Sequence, residues 1–146
     1  MGSLNEVVKD PARRARVLDD CEALIEAEVH DKGGLTGIAV KGAYMTVKGL
    51  RPGMVRASMD ALLDDFSSQV DPFWQDCQRA GEAPRPYFQR RQVEVANALL
   101  AITDARARTS EHKVLVKAYT SLRPKAVEHI GAAMGRLADL LKRHAS

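Results

Sequence analysis

The segment DPARRARVLDDCEALIEAEVHD, residues 10–31, has the periodicity of an amphipathic helix. Asp10 is a typical N-cap residue, and Pro11 suits the first helical position, where no backbone N–H is needed. Apolar side chains recur every three or four residues on one face, and acidic side chains occupy the other. The apolar face holds Val17, Cys21, Leu24, Ile25 and Val29. The next residues, 32–34, are KGG, and glycine ends a helix at little cost.

The same periodicity continues along the rest of the chain, and no segment alternates as a β-strand would. Further helices are predicted over residues 35–50, 53–70, 71–81, 86–108, from Ser110 through KVLVKAY, and 124–143. Aromatic residues are scarce, which also favours helix over sheet. The sequence therefore predicts one all-α domain over residues 1–146, a compact bundle of six to seven helices.

The two halves of the chain share a weak similarity. A shift in register aligns PARRARVLDDCEAL (11–24) with PYFQRRQVEVANAL (86–99), and LRPGMV (50–55) matches LRPKAV (122–127) after a short gap. Two alternatives stay open. One is a duplication, which would give pseudo-repeated halves over 11–70 and 86–143; the other is the chance similarity of helical sequences.

Charge is distributed unevenly along a chain whose net charge is only +3. Residues 83–146 carry 12 Lys and Arg against 5 Asp and Glu, whereas the N-terminal helices are acidic. A basic half could meet nucleic acid or anionic lipid. No nucleic-acid motif or aromatic-interleaved basic patch accompanies it, so pairing with the acidic helices is favoured.

The N-terminus MGSLNEVVKD lacks the basic start and apolar stretch of a signal peptide. The longest uncharged runs are far below the roughly 20 apolar residues of a membrane span. The two cysteines are too few for a disulfide framework, and we expect both to be reduced residues in or near the core. We therefore expect a cytoplasmic protein.

The sequence contains no recognisable motif for metal binding or catalysis. The four histidines form no His-x-x-x-His pair and no Glu-x-x-His motif, and no Gly-x-Ser-x-Gly elbow occurs. Asp60, Asp64 and Asp65 form an acidic patch of the kind that usually faces solvent. The sequence thus predicts no catalytic residue, no metal ligand and no cofactor, and it favours a non-enzymatic protein without deciding the question.

Residues 33–53, GGLTGIAVKGAYMTVKGLRPG, contain six glycines, three cations and no acid. A phosphate-binding loop is not supported, since no strand precedes it. On a helical wheel, one narrow polar stripe is flanked by two apolar faces, which is typical of a helix with neighbours on most sides. We predict a largely buried helix with close-packing glycines at 42 and 49. The alternatives are a groove that binds an acidic or phosphate-bearing ligand, and insertion into a membrane surface. The polar stripe, here called the cationic stripe, consists of Lys41, Tyr44, Lys48 and Arg51.

The chain resembles a family of small, uncharacterised, all-helical bacterial proteins. The resemblance rests on DPARRARV, GLTGIAVKGAYMTVKGLRPGMV, LLDDF, DPFW, ANALLAITDARA and KAYTSLRPKA, and so extends over nearly the whole chain. It implies a single compact domain and supplies no reaction, cofactor or partner. The function expected from the sequence is protein–protein contact or self-association, for example as a homodimer. The alternative is a module that binds an anionic or amphiphilic ligand along the cationic stripe.

Overall fold

The computed structural model describes residues 3–145. Met1, Gly2 and Ser146, which the predicted domain included, lie outside the described residues. Within the described range the secondary structure is entirely helical, so the all-α prediction is confirmed. The α-helices are α1 (Leu4–Lys9), α2 (Pro11–Asp31), α3 (Gly34–Lys48), α4 (Met54–Ala80), α5 (Pro84–Arg90), α6 (Gln92–Thr109), α7 (Lys113–Leu122), α8 (Ala126–Ala132) and α9 (Met134–Ala145), with one 3₁₀ turn at Arg123–Lys125.

Helix α4 is longer than the sequence predicts, because it continues through Pro72. We expected one helix to end at residue 70 and another to begin at residue 71, and this prediction is wrong. The Asp71 carboxylate instead accepts the Leu4 N–H of α1 at 2.9 Å and the Gln75 side-chain amide at 3.2 Å. Proline lacks one backbone donor, but Val70 and Trp74 on either side of it are buried, and this packing keeps the helix continuous.

Two predicted long helices are each divided by a single residue. Residues 86–108 fall into α5 and α6, which are separated at Arg91, and residues 124–143 contain a break at Ala133 between α8 and α9. The Arg91 guanidinium donates to the Tyr87 hydroxyl at 2.7 Å and to Asp76 of α4 at 3.2 Å. Residues 3–145 therefore contain nine α-helices against the six to seven predicted; α1 was not predicted, and α4 replaces two predicted helices.

The tightly packed core lies at one end of the bundle. Trp74, Tyr87, Phe88 and Val95 are at most 1% exposed, and helices α1, α4, α5, α6 and α9 meet around them. A second apolar cluster joins α1 and α2 to α4 and α9. Consistent with this packing, the Tyr87 hydroxyl donates to Asp76 at 2.7 Å, and burial raises the Tyr87 pKa to about 12.

The other end of the bundle is packed more loosely. Helix α3 packs against α2, α4 and α7, and α7 has no fully buried residue. Many apolar side chains that the helical pattern assigns to the core, such as Ile25 and Val29, are only half-buried there. They line cavities.

Candidate cavity site

Two adjoining cavities extend from the loosely packed end into the bundle, where the inner one reaches side chains of both core clusters. The first, here called the inner cavity, has a volume of about 420 Å³ and lies among α1, α2, α4, α6, α8 and α9. Nearly all of its wall is apolar. The side chains that reach it include Val17, Leu24, Leu63, Phe66, Leu99, Ile130 and Leu137.

The second, here called the outer cavity, has a volume of about 600 Å³ and is lined by α2, α3, α4, α6 and α7. Its wall is apolar over most of its surface but carries several polar side chains. These are Tyr44, Arg51, Ser58, Thr103, Arg106, Ser110, His112 and Tyr119.

The two cavities share one wall. Ile25 and Val29 of α2, Val40 of α3, Met59 of α4 and Thr103 of α6 line both. Protein interiors normally contain few voids larger than a water molecule, whereas ligand sites span roughly 300–1,000 Å³. Each cavity falls in the range of ligand sites, and the five shared residues place the two apolar cavities side by side.

Two titratable groups at the inner cavity, Cys21 and His129, favour their neutral forms. Burial, assisted by the neighbouring Asp20, raises the pKa of the Cys21 thiol to about 11, so the thiol stays protonated at neutral pH. Burial and the positive charge of Lys32 lower the pKa of His129 below its usual value. The walls therefore suit an apolar occupant, and Cys21 does not have the properties of a catalytic nucleophile.

Two tyrosines on the walls of the outer cavity each donate a hydrogen bond to a carboxylate. The Tyr44 hydroxyl of α3 donates to Glu26 of α2 at 3.2 Å. The Tyr119 hydroxyl of α7 donates to Asp104 of α6, which also receives two hydrogen bonds from Arg123 at 2.9 and 3.1 Å. In each case a tyrosine on a short helix is held by a carboxylate on the preceding long helix.

Arg51 is the cation on the cavity wall that is free to meet an anion. Its Nε donates to the Met54 sulfur at 3.3 Å, which is a weak acceptor, and no carboxylate within residues 3–145 pairs with it. Arg106 differs, because it is bound to Asp65 at 2.9 Å and to the Ala61 carbonyl at 3.1 Å.

The cationic stripe predicted from the sequence is divided by the structure. Tyr44 and Arg51 line the outer cavity, whereas Lys41 and Lys48 do not. Lys48 lies 5.7 Å from the Tyr44 ring centre and 3.8 Å from Glu26, and Lys41 is exposed. The four residues therefore do not form one groove.

The environment of α3 differs from the prediction of a mostly buried helix. Its face at Leu35, Ile38 and Met45 is exposed, with 87%, 70% and 62% of these residues accessible to solvent. Gly42, predicted to pack closely, has no neighbouring atom within 4 Å of the position its Cβ would take. The close approach is at Gly37, where a Cβ would lie 2.6 Å from the Lys32 carbonyl oxygen. No other helix within residues 3–145 covers this side, which the helical wheel alone could not show.

Sequence reasoning missed the contribution of α6 and α7 to the site. Tyr119, Arg123 and Asp104 were not identified as candidates. The signal that could have found two of them is the repeated motif, since Tyr119 and Arg123 correspond to Tyr44 and Arg51 in the aligned halves. The acidic patch is accounted for by ion pairs: Arg14 contacts Asp60 and Asp64, and Arg106 contacts Asp65.

These features define a small all-α protein with an extended apolar interior site. The chain belongs to the family of unknown function DUF6918, whose model matches residues 4–145. No curated protein and no solved structure shows significant similarity to the chain. Residues 3–145 include no helix long and apolar enough to cross a membrane. In the same range no group of three or more His, Cys, Asp or Glu side chains is arranged to hold a metal ion.

Proposed function

We propose that the protein binds a single-chain amphiphile, with the apolar chain in the two cavities and the anionic head group at Arg51. The observation that carries the proposal is the pair of adjoining cavities of about 420 and 600 Å³. Burying an acyl chain there would remove apolar surface from water on both the ligand and the wall.

The arrangement of charge supports an anionic head group. The inner cavity has an almost entirely apolar wall, so it suits the hydrocarbon chain. The outer cavity has Arg51 without a carboxylate partner, and the hydroxyl groups of Ser58 and Ser110 on its wall can donate hydrogen bonds. This distribution matches a molecule that is apolar along its length and charged at one end.

Titration with palmitate, followed by displacement of a dansyl-labelled fatty acid, tests the proposal. We expect saturable binding with one site per chain. Replacing the shared wall residues by Val29→Phe and Val40→Phe fills the junction of the cavities and should weaken binding at least about tenfold. Val93→Phe is the control, because Val93 is 56% exposed on α6 and lines neither cavity.

Absence of saturable binding, or equal affinities in the filled and control variants, would contradict the proposal. Protein–protein contact or self-association, the function favoured by the sequence, stays a prediction, as do the cytoplasmic location and a bacterial source. Light scattering over a concentration series tests self-association.

A further inference from the structure

The exposed face of α3 is the largest concentration of exposed apolar side chains in residues 3–145. Leu35, Ile38 and Met45 make up three of the six large apolar residues that are exposed there, and Leu50, also exposed, follows just after the helix. Isolated exposed apolar residues are common and need no explanation. A row of them on one helix face indicates a surface that a membrane or another molecule covers.

Lysines border this face. By helical spacing, Lys41 and Lys48 lie along one edge, between the exposed row and the side of α3 that packs on the bundle. Both lysines are exposed, and Lys41 has no carboxylate partner within the described residues. Long lysine side chains in this position can extend toward anionic groups while the apolar row is buried.

The neighbouring helix adds charge of the same sign. Residues 33–53 carry three cations and no acid, and α7, which packs against α3, carries Lys113 and Lys117 and no acid. Val114 on α7 is also exposed. Glu26 of α2, an acid that contacts α3, is bound by the Tyr44 hydroxyl and Lys48.

We propose that α3 docks on an anionic lipid surface, with Leu35, Ile38 and Met45 inserted and Lys41 and Lys48 at the head groups. An interfacial helix has an exposed apolar face, cations beside it and an opposite side that is polar or packed; α3 has the apolar row, two lysines along one edge and a packed opposite side. A second copy of this chain fits less well, because it would bring the same lysines and no acid from its own α3 to the contact. Occupancy of the cavities is not needed for this docking.

Sedimentation with vesicles tests the inference. The wild-type protein should sediment with vesicles of phosphatidylcholine and phosphatidylglycerol and far less with vesicles of phosphatidylcholine alone. Changing Lys41→Gln and Lys48→Gln together should weaken the partition coefficient on the anionic vesicles about thirtyfold, at roughly one charge's contribution per lysine. The triple change Leu35→Gln, Ile38→Gln and Met45→Gln should reduce sedimentation to the level of the neutral vesicles.

Two controls match these variants. Val93→Gln removes an exposed apolar residue from α6, and Lys9→Gln removes an exposed lysine from α1; both should bind as the wild type does. Circular dichroism checks that every variant is folded, which is expected because the changed side chains are exposed.

The inference is overturned if the wild type shows no preference for anionic vesicles, or if the triple variant binds like Val93→Gln. It is also overturned if the triple variant dissociates an oligomer in light scattering but leaves vesicle binding unchanged, since the face would then contact protein.

Discussion

Arg51 is the residue that we propose to bind the anionic head group of the ligand. It follows the end of α3 and precedes α4, so the turn between these helices places its guanidinium at the outer cavity. Its one hydrogen bond is to the Met54 sulfur, a weak acceptor, and an anionic ligand would offer a stronger one. Lys41, in the same predicted stripe, faces away from the cavity.

The change Arg51→Gln should therefore weaken palmitate binding about fivefold, the loss expected for a solvent-exposed ion pair. It should leave the affinity for hexadecanol, which has no charge, unchanged. Competition with a dansyl-labelled fatty acid measures both, and Lys41→Gln serves as the matched control. Equal losses for palmitate and hexadecanol would show that Arg51 shapes the wall and does not recognise charge.

At the element scale, α3 contains two kinds of glycine. Gly42 lies on the exposed side with open space around it, whereas a Cβ at Gly37 would meet the Lys32 backbone. Glycine in a helix interior costs about 1 kcal/mol relative to alanine when nothing else constrains the position.

Gly42→Ala should thus stabilise the protein by up to about 1 kcal/mol, and Gly37→Ala should destabilise it, because backbone atoms have to move to make room. Urea unfolding monitored by circular dichroism measures both. A destabilised Gly42→Ala variant would restore the sequence-based view that this glycine packs closely against another helix.

A polar cluster links α7 and the turn that follows it to α6. Hydrogen bonds from Arg123, and secondly from Tyr119, hold the pKa of Asp104 below its usual value. A depressed carboxyl pKa stabilises the fold fully above the unfolded-state pKa of 3.8, and this stabilisation is lost as the pH falls through the folded-state value.

Asp104→Asn should accordingly lower the melting temperature at neutral pH, and the difference from wild type should disappear when both proteins are melted in strong acid. Glu111→Gln is a suitable control, since Glu111 is exposed at the start of α7 outside this cluster. A difference that persists unchanged in acid would mean that the amide perturbs packing and that the carboxylate charge contributes nothing.

For the whole molecule, the fold class could be predicted from the sequence but the cavities could not. The spacing of Val17, Cys21 and Leu24 is sufficient to predict α2 and its apolar face. The same spacing cannot tell whether Ile25 meets another side chain or a cavity, because that depends on how far apart neighbouring helices lie. Arg51 was predicted as a binding residue from its charge, whereas Tyr119 depends on tertiary packing.

The predicted repeat, over residues 11–70 and 86–143, stays a prediction at this scale. Helix α4 of the first half packs on α6 of the second, and α9 of the second packs on α2 of the first. In each contact the last long helix of one half packs on the first long helix of the other half. A pseudo-twofold axis between the halves would produce this pair of contacts. Alignment of the two halves in an experimental structure would decide between duplication and chance.

The loosely packed end of the bundle should accommodate a larger side chain with less loss of stability than the tightly packed core. Val40→Phe extends into the cavities and should change the free energy of unfolding by less than about 1 kcal/mol, whereas Val95→Phe in the dense core should cost about 1–3 kcal/mol. Chemical denaturation of the two variants measures this. Equal destabilisation would mean that the region around Val40 is as tightly packed as the core.

The location of a bound amphiphile is tested most directly by isotope-filtered nuclear Overhauser measurements on labelled protein with unlabelled palmitate. The proposed function predicts contacts from the acyl chain to the methyl groups of Ile25, Val29 and Val40, which line both cavities. Contacts confined to Leu35 and Ile38 on the exposed face of α3, or no contacts at all, would contradict it.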